Sequence, residues 1–200
     1  MNWPALESDP EIFTQYFRTI GLSSQWEFSE IFSFDEEVEG SAILLAYKFY
    51  EQSSVFEGEP IQLENFIKQT PVLDNACGLI AALHGIFAAN ADLQEGSILF
   101  EIKSQIANKS PLEAAEVIIN NQALHDIHLQ FAAEGQSEIT DCPNYHFVVL
   151  LPGFILYDGI KNNPIRLPCE GSLSMGFFNL VKQLIETERI AEDMNMMVLI

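Results

Sequence analysis

Apolar residues fall along the 200-residue chain in blocks of different period. Residues 8–20 read as a first helix. Ser8 is the candidate N-cap, Pro10 and Glu11 suit the first turn, and Gly21 is a stop. Ile12, Tyr16, Thr19 and Ile20 approximate one face of that helix. Residues 42–49 (AILLAYKF) form a short apolar run that predicts a buried strand, followed by a polar loop over 51–60. Residues 76–90 are rich in Ala and Leu and predict a buried helix. An amphipathic helix is expected over 112–124, with Ser110 and Pro111 at its start, and a long polar loop over 126–144. Two strand-like runs, 146–151 and 154–158, flank Pro152-Gly153; a helix over 173–190 and a strand over 194–200 follow. Strands and helices do not alternate regularly. The pattern therefore predicts a mixed α/β (α+β) fold, with a mainly antiparallel central sheet flanked by helices.

No repeat and no Pro/Gly/Ser-rich linker divides the chain, so residues 1–200 read as a single domain. Hydrophobic residues make up 48%, which excludes low-hydrophobicity disorder for most of the chain. Nine Lys and Arg against 29 Asp and Glu give a formal charge of -20. That balance disfavours nucleic acid and anionic membrane surfaces, and favours a basic protein or peptide partner. Three cysteines, Cys77, Cys142 and Cys169, make no disulfide framework and no paired zinc motif. Met1-Asn2-Trp3-Pro4 lacks the features of a secretory signal, and no apolar run is long enough to span a bilayer. The expectation is a soluble, cytoplasmic monomer with reduced thiols and no metal or organic cofactor. His125 and His128 have metal-like spacing, but two ligands make no site, and they read as a solvated helix end.

Cys77 follows Leu73-Asp74-Asn75-Ala76 and precedes the apolar helix. Asp74 and Asn75 are natural N-caps, which places Cys77 in or beside the first turn, where the helix dipole and free N–H groups suit an anionic sulfur. Taken alone, Cys77 reads as a buried small hydrophobe or as a nucleophile. A thiol nucleophile needs a base and the base an orienting group. His146 opens one strand-like run and Asp158 ends the next. A three-residue Leu151-Pro152-Gly153 turn sets His146 directly across from Asp158; a two-residue Pro152-Gly153 turn sets them on opposite faces.

At these residues the chain resembles the ubiquitin C-terminal hydrolases, papain-like cysteine peptidases. The matching motifs are Lys68-Gln69-Thr70, Asn75-Ala76-Cys77-Gly78, His146-Phe147, and Tyr157-Asp158-Gly159 followed by Pro164-Ile165. Trp3, Leu6 to Glu11, Gly21-Leu22 and Trp26-Glu27-Phe28 look like the family's opening segment. Glu134-Gly135-Gln136 resembles its crossover loop, and Met196-Met197-Val198 its closing strand, so the resemblance spans nearly the whole chain.

The resemblance implies a papain-like fold with a knotted backbone, and ubiquitin as the partner. It implies Cys77 as nucleophile, His146 as base, Asp158 as the group orienting it, and Gln69 with the Cys77 N–H as oxyanion hole. Leu6, Glu7 and Glu30 would grip the basic ubiquitin tail, and a loop around 130–144 would pass only small or disordered leaving groups. Gln69 and Cys77 stand two residues further apart than is usual in the family, through Pro71-Val72-Leu73-Asp74. That insertion leaves two alternatives open: a ubiquitin-binding protein with weak turnover, and a hydrolase of a ubiquitin-like modifier.

Overall fold

The computed structural model describes residues 2–49, 54–134 and 145–200, with the backbone alone at Phe49. Seven strands form one sheet among these residues. Their spatial order is β1 (Phe28–Glu30), β7 (Ile190–Leu199), β2 (Ala42–Phe49), β4 (Tyr145–Leu151), β5 (Ile155–Tyr157), β6 (Ile165–Arg166) and β3 (Glu59–Pro60). Every pair is antiparallel. Six α-helices accompany it: α1 (Pro10–Thr19), α2 (Cys77–Ala88), α3 (Ile98–Ile106), α4 (Pro111–Ile119), α5 (Gln122–Glu134) and α6 (Leu173–Glu186). The predicted fold class is the observed one.

Strand alternation divides the core in two. Leu44, Ala46, Phe147, Val149 and Tyr157 pack with α1–α5 on one side. Ile43, Leu45, Tyr47, Val148, Leu150 and Leu156 pack with α6 on the other. Helix α2 is apolar all round because it lies inside the larger core, with Cys77 to Phe87 all buried. A Cβ on Gly85 would meet Ala42 and Val149 at 3.3 Å, so glycine lets α2 settle directly on the sheet.

Several expectations need correction. The N-cap of α1 is Asp9, whose Oδ1 accepts from Glu11 N and Ile12 N; the Ser8 hydroxyl donates instead to Asn195. Helix α3 has no counterpart in the sequence reading. The single helix expected over 112–124 is two, broken at Asn120-Asn121, where the Asn121 side chain caps α5 by accepting from Leu124 N. Residues 126–134 are helical rather than loop. The buried face of α5 is Leu124, His125, His128, Phe131 and Ala132, and counting the histidines as solvent-facing hides its period. The crossover-loop residues Gly135-Gln136 and Cys142 lie outside the described residues.

The two histidines of α5 are buried and anchor the opening segment. His125 Nε2 bonds the Asn2 carbonyl at 2.9 Å, and His128 Nε2 bonds the Pro4 carbonyl at 2.7 Å. Trp3, 1% exposed, packs its ring between them at centroid distances of 4.9 and 5.1 Å. Burial lowers the His128 imidazole to about 4, against the pull of the Pro4 carbonyl, so it stays neutral in mildly acid solution. No group of three or more His, Cys, Asp or Glu that could hold a metal occurs among the described residues. None of their helices is long and apolar enough to cross a membrane.

Candidate active site

The first residue of α2 is Cys77, 6% exposed, and its N-cap is Ala76, which makes no side-chain cap bond. Asp74 and Asn75 therefore do not cap the helix; Asp74 ends a short 3-10 turn over Pro71–Leu73. The difference suits chemistry. A capping oxygen would occupy the same N–H groups that an oxyanion at Cys77 needs. Gly78 lets Phe13 and Phe147 close on this turn, since a Cβ there would lie 3.2 Å from the Phe13 ring.

The β4–β5 hairpin brings His146 and Asp158 together, though not by the expected register. Val149 pairs with Tyr157 and Leu151 with Ile155, so the turn is Pro152-Gly153-Phe154. Both Gly153 (φ 79°) and Phe154 (φ 58°) are left-handed. That conformation strains a phenylalanine. It is held by Leu167 N donating to the Phe154 carbonyl, and by the Phe154 ring lying on Gly176. Asp158 thus stands opposite Val148, two residues from the expected partner. A shift of two preserves the face, because the pleat repeats every two residues. His146 reaches diagonally, and its Nε2 meets Asp158 Oδ1 at 2.8 Å. Both are buried, at 5% and 0% exposure.

With Nε2 committed to Asp158, Nδ1 is the ring nitrogen left for the Cys77 thiol, with which His146 also bonds. Burial works to lower the imidazole. The hydrogen bonds with Asp158 and Cys77, and the charges of both, outweigh it and raise His146 to about 10. Burial likewise raises Asp158, but the bond and charge of His146, with smaller help from Ser54 and the Ile160 N–H, bring the carboxyl below its usual range. The result is a charged, desolvated imidazolium–carboxylate pair beside the Cys77 sulfur at a helix N-terminus. Such a group can deliver a sulfur nucleophile and return a proton to a leaving group.

Gln69 sits on an extended arm held at successive residues. Ile67 N donates to His84 Nε2 at 2.8 Å, Lys68 N to the Pro111 carbonyl, and Gln69 N to the Gly159 carbonyl at 2.9 Å. His84 thus serves as a buried acceptor rather than a base, and burial lowers it to about 3. The Gln69 amide donates to the Asp74 carbonyl at 2.7 Å, so the inserted turn receives this side chain. Its second amide hydrogen remains for another acceptor. Gly159 is required beside it, because a Cβ there would lie 3.0 Å from Gln69 Cβ.

The family described as ubiquitin carboxyl-terminal hydrolase, family 1, matches residues 3–187. The chain belongs to this family. It is accordingly a cysteine-type deubiquitinating hydrolase. Its relatives include ubiquitin carboxyl-terminal hydrolase isozyme L1 of Rattus norvegicus, 29% identical over 74% of each chain. The Macaca fascicularis isozyme L1 is 29% identical over 94% of each. Among solved structures, the UCH37 catalytic domain of Trichinella spiralis bound to ubiquitin vinyl methyl ester shares the fold. Its TM-score is 0.79 at 22% identity, covering 100% of this chain and 96% of that one.

The remaining sequence-derived candidates scatter. Leu6 is 5% exposed and belongs to the larger core, so it supports the opening segment from beneath. Glu7 is partly exposed. Glu30 is exposed and accepts from Asn195 Nδ2 at 3.2 Å. Phe32, 87% exposed two residues beyond Glu30, escaped the sequence reading, because Ile31 and Phe34 beside it give no local sign of which of the three faces solvent.

Proposed function

We propose that Cys77 cleaves the bond after the last residue of ubiquitin through an acyl-enzyme, with His146, Asp158 and Gln69 in the roles their bonds suit. The observation that carries this reading is the buried relay from Asp158 Oδ1 to His146 Nε2, and from the same ring to the Cys77 sulfur. The Cys77 sulfur, its proton carried on His146 Nδ1, attacks the carbonyl carbon. The developing oxyanion takes hydrogen bonds from the Cys77 N–H and the free Gln69 amide hydrogen. The C–N bond then breaks, and the amine leaves with the proton from His146 Nδ1. Water, giving a proton back to Nδ1, hydrolyses the thioester and releases the Cys77 sulfur as thiolate beside the restored imidazolium.

Ubiquitin is the partner suited to this chain by family and by charge, a -20 protein meeting a basic tail. Glu7 and Glu30 are the charged candidates to receive it, and the exposed Phe32, two residues beyond Glu30, is the apolar one. Small or disordered adducts are the leaving groups, and the cytoplasm is the expected setting. The test is incubation with ubiquitin carrying a C-terminal electrophile, followed by intact mass. One adduct, absent in Cys77→Ala, is expected. No adduct despite measurable ubiquitin binding would overturn the catalytic reading and favour a binding protein.

A further inference from the structure

Three oxygens converge on the Lys68 ammonium. Nζ donates to the Ile160 carbonyl at 2.6 Å, to the Lys161 carbonyl at 2.7 Å and to Asn162 Oδ1 at 3.3 Å. All three of its donors are thereby used. The oxygens belong to the turn that follows Asp158. Within that turn, Ile160 N donates to Asp158 Oδ1 at 3.1 Å and Lys161 N to the Asp158 carbonyl at 2.9 Å. The Asp158 oxygen that accepts from His146 is therefore fixed by the same turn that Lys68 grips. The next residue along the chain is Gln69, whose own N–H donates to Gly159.

We propose that Lys68 is a positioning residue that locks the Gln69 arm and the Asp158 turn into one frame. It touches no reacting atom. Its ammonium gathers two carbonyls and an amide oxygen of that turn. It acts on the site through the placement of Gln69 and of the Asp158 carboxylate. Placement matters because a misplacement of about 1 Å can cost on the order of a hundredfold in rate. The arm's fold does not depend on Nζ, since the Lys68 N–H is held separately by the Pro111 carbonyl. This inference rests on the roles given to Gln69 and Asp158 above.

The test measures kcat and KM on ubiquitin bearing a C-terminal fluorogenic amide, for Lys68→Met, Lys68→Arg, Gln69→Ala and the Lys68→Met/Gln69→Ala double variant. Lys68→Met should lower kcat about tenfold with KM within twofold, and Lys68→Arg should recover most of the loss. In the Gln69→Ala background, Lys68→Met should cost less than about threefold, because residues acting as a unit are not additive. If Lys68→Met does not fold, Lys68→Gln, which keeps an N–H donor, is read by the same criteria. A wild-type kcat, an Arg variant as slow as the Met variant, or full additivity overturns the proposal. If Gln69→Ala is itself slow, the Gln69 assignment survives that outcome. A wild-type rate in Gln69→Ala overturns the assignment, and this proposal with it.

Discussion

His84 in α2 and His128 in α5 are as buried as His146 in β4, at 2%, 0% and 5% exposure. Burial alone disfavours an imidazolium in all three. His84 accepts a backbone N–H and stacks on Phe66 at 5.1 Å, and His128 lies between the Pro4 carbonyl and the Tyr16 hydroxyl. Neither has a carboxylate hydrogen-bonded to it, and they go down to about 3 and about 4. His146 has Asp158 at 2.8 Å and goes up to about 10. Two of these imidazoles serve as neutral struts, and the third is held as a stored proton. The partner, not the depth, makes the difference.

The sharpest way to break that contrast is Asp158→Asn. It leaves His146 buried but deprives it of its charged partner, which should make it behave like His84. Turnover on a ubiquitin amide should fall by about 10²- to 10⁴-fold, the range for losing an orienting carboxylate in a proton-transfer site. The alkaline limb of kcat/KM should move as well. His146 must be protonated to serve the leaving amine, so wild-type activity should hold until the imidazolium titrates near 10. In Asp158→Asn that limb should shift downward by more than about one unit. A full pH–rate profile checks this, and an unmoved limb would show that Asp158 does not set the His146 charge.

The sequence carried this contrast unevenly. The two strands of the hairpin were legible from strand periodicity and a turn signal at Pro152-Gly153, but that signal left open whether His146 and Asp158 share a face, because two- and three-residue turns give opposite answers. The register was not legible, because Phe154 takes a left-handed conformation that no local preference indicates. A tertiary tie to Leu167 and a close seat on Gly176 impose it. Cys77 at the start of α2 was legible, while its cap was misread. Asp74 and Asn75 are good capping residues in isolation, but Asp74 is drawn into the Pro71–Leu73 turn and its carbonyl receives Gln69. The roles of His84, His125 and His128 were invisible for one reason. Their partners are backbone groups 17 and more than 100 residues away in sequence, which periodicity does not encode.

The neutral struts should show themselves in acid. The unfolded chain protonates His84 and His128 near pH 6.5, before the folded protein does, so stability is intact above that pH and drains as pH falls toward the folded values. Each contributes a slope approaching 1.4 kcal/mol per pH unit. Between pH 6.5 and pH 5 the pair should cost roughly 3 kcal/mol, read by urea unfolding at a series of pH values. His146 opposes that slope only slightly, near pH 6.5, because the folded state keeps it protonated throughout and the unfolded chain is largely protonated as well by pH 5. The double variant His84→Gln/His128→Gln keeps polar partners for Ile67 and Pro4 and removes the titration. Its stability should be nearly flat over the same window, apart from the carboxylates. A retained slope would place the acid sensitivity elsewhere.

The smallest effect tests where strut and reaction meet. His84 and Gly159 grip the same arm, at Ile67 and at Gln69, but only Gln69 turns a donor toward the substrate carbonyl in the proposed mechanism. Gln69→Ala should therefore slow turnover at least about tenfold, with ubiquitin binding retained, on the scale of a lost oxyanion donor. His84→Gln preserves an acceptor for the Ile67 N–H and should leave kcat within about threefold, although an unpaired Ile67 N–H would cost about 1–3 kcal/mol of stability. Equal losses of kcat in the two variants would mean that the arm's rigidity, rather than the Gln69 amide, supplies the rate. The inserted Pro71–Leu73 turn would then matter only as a brace.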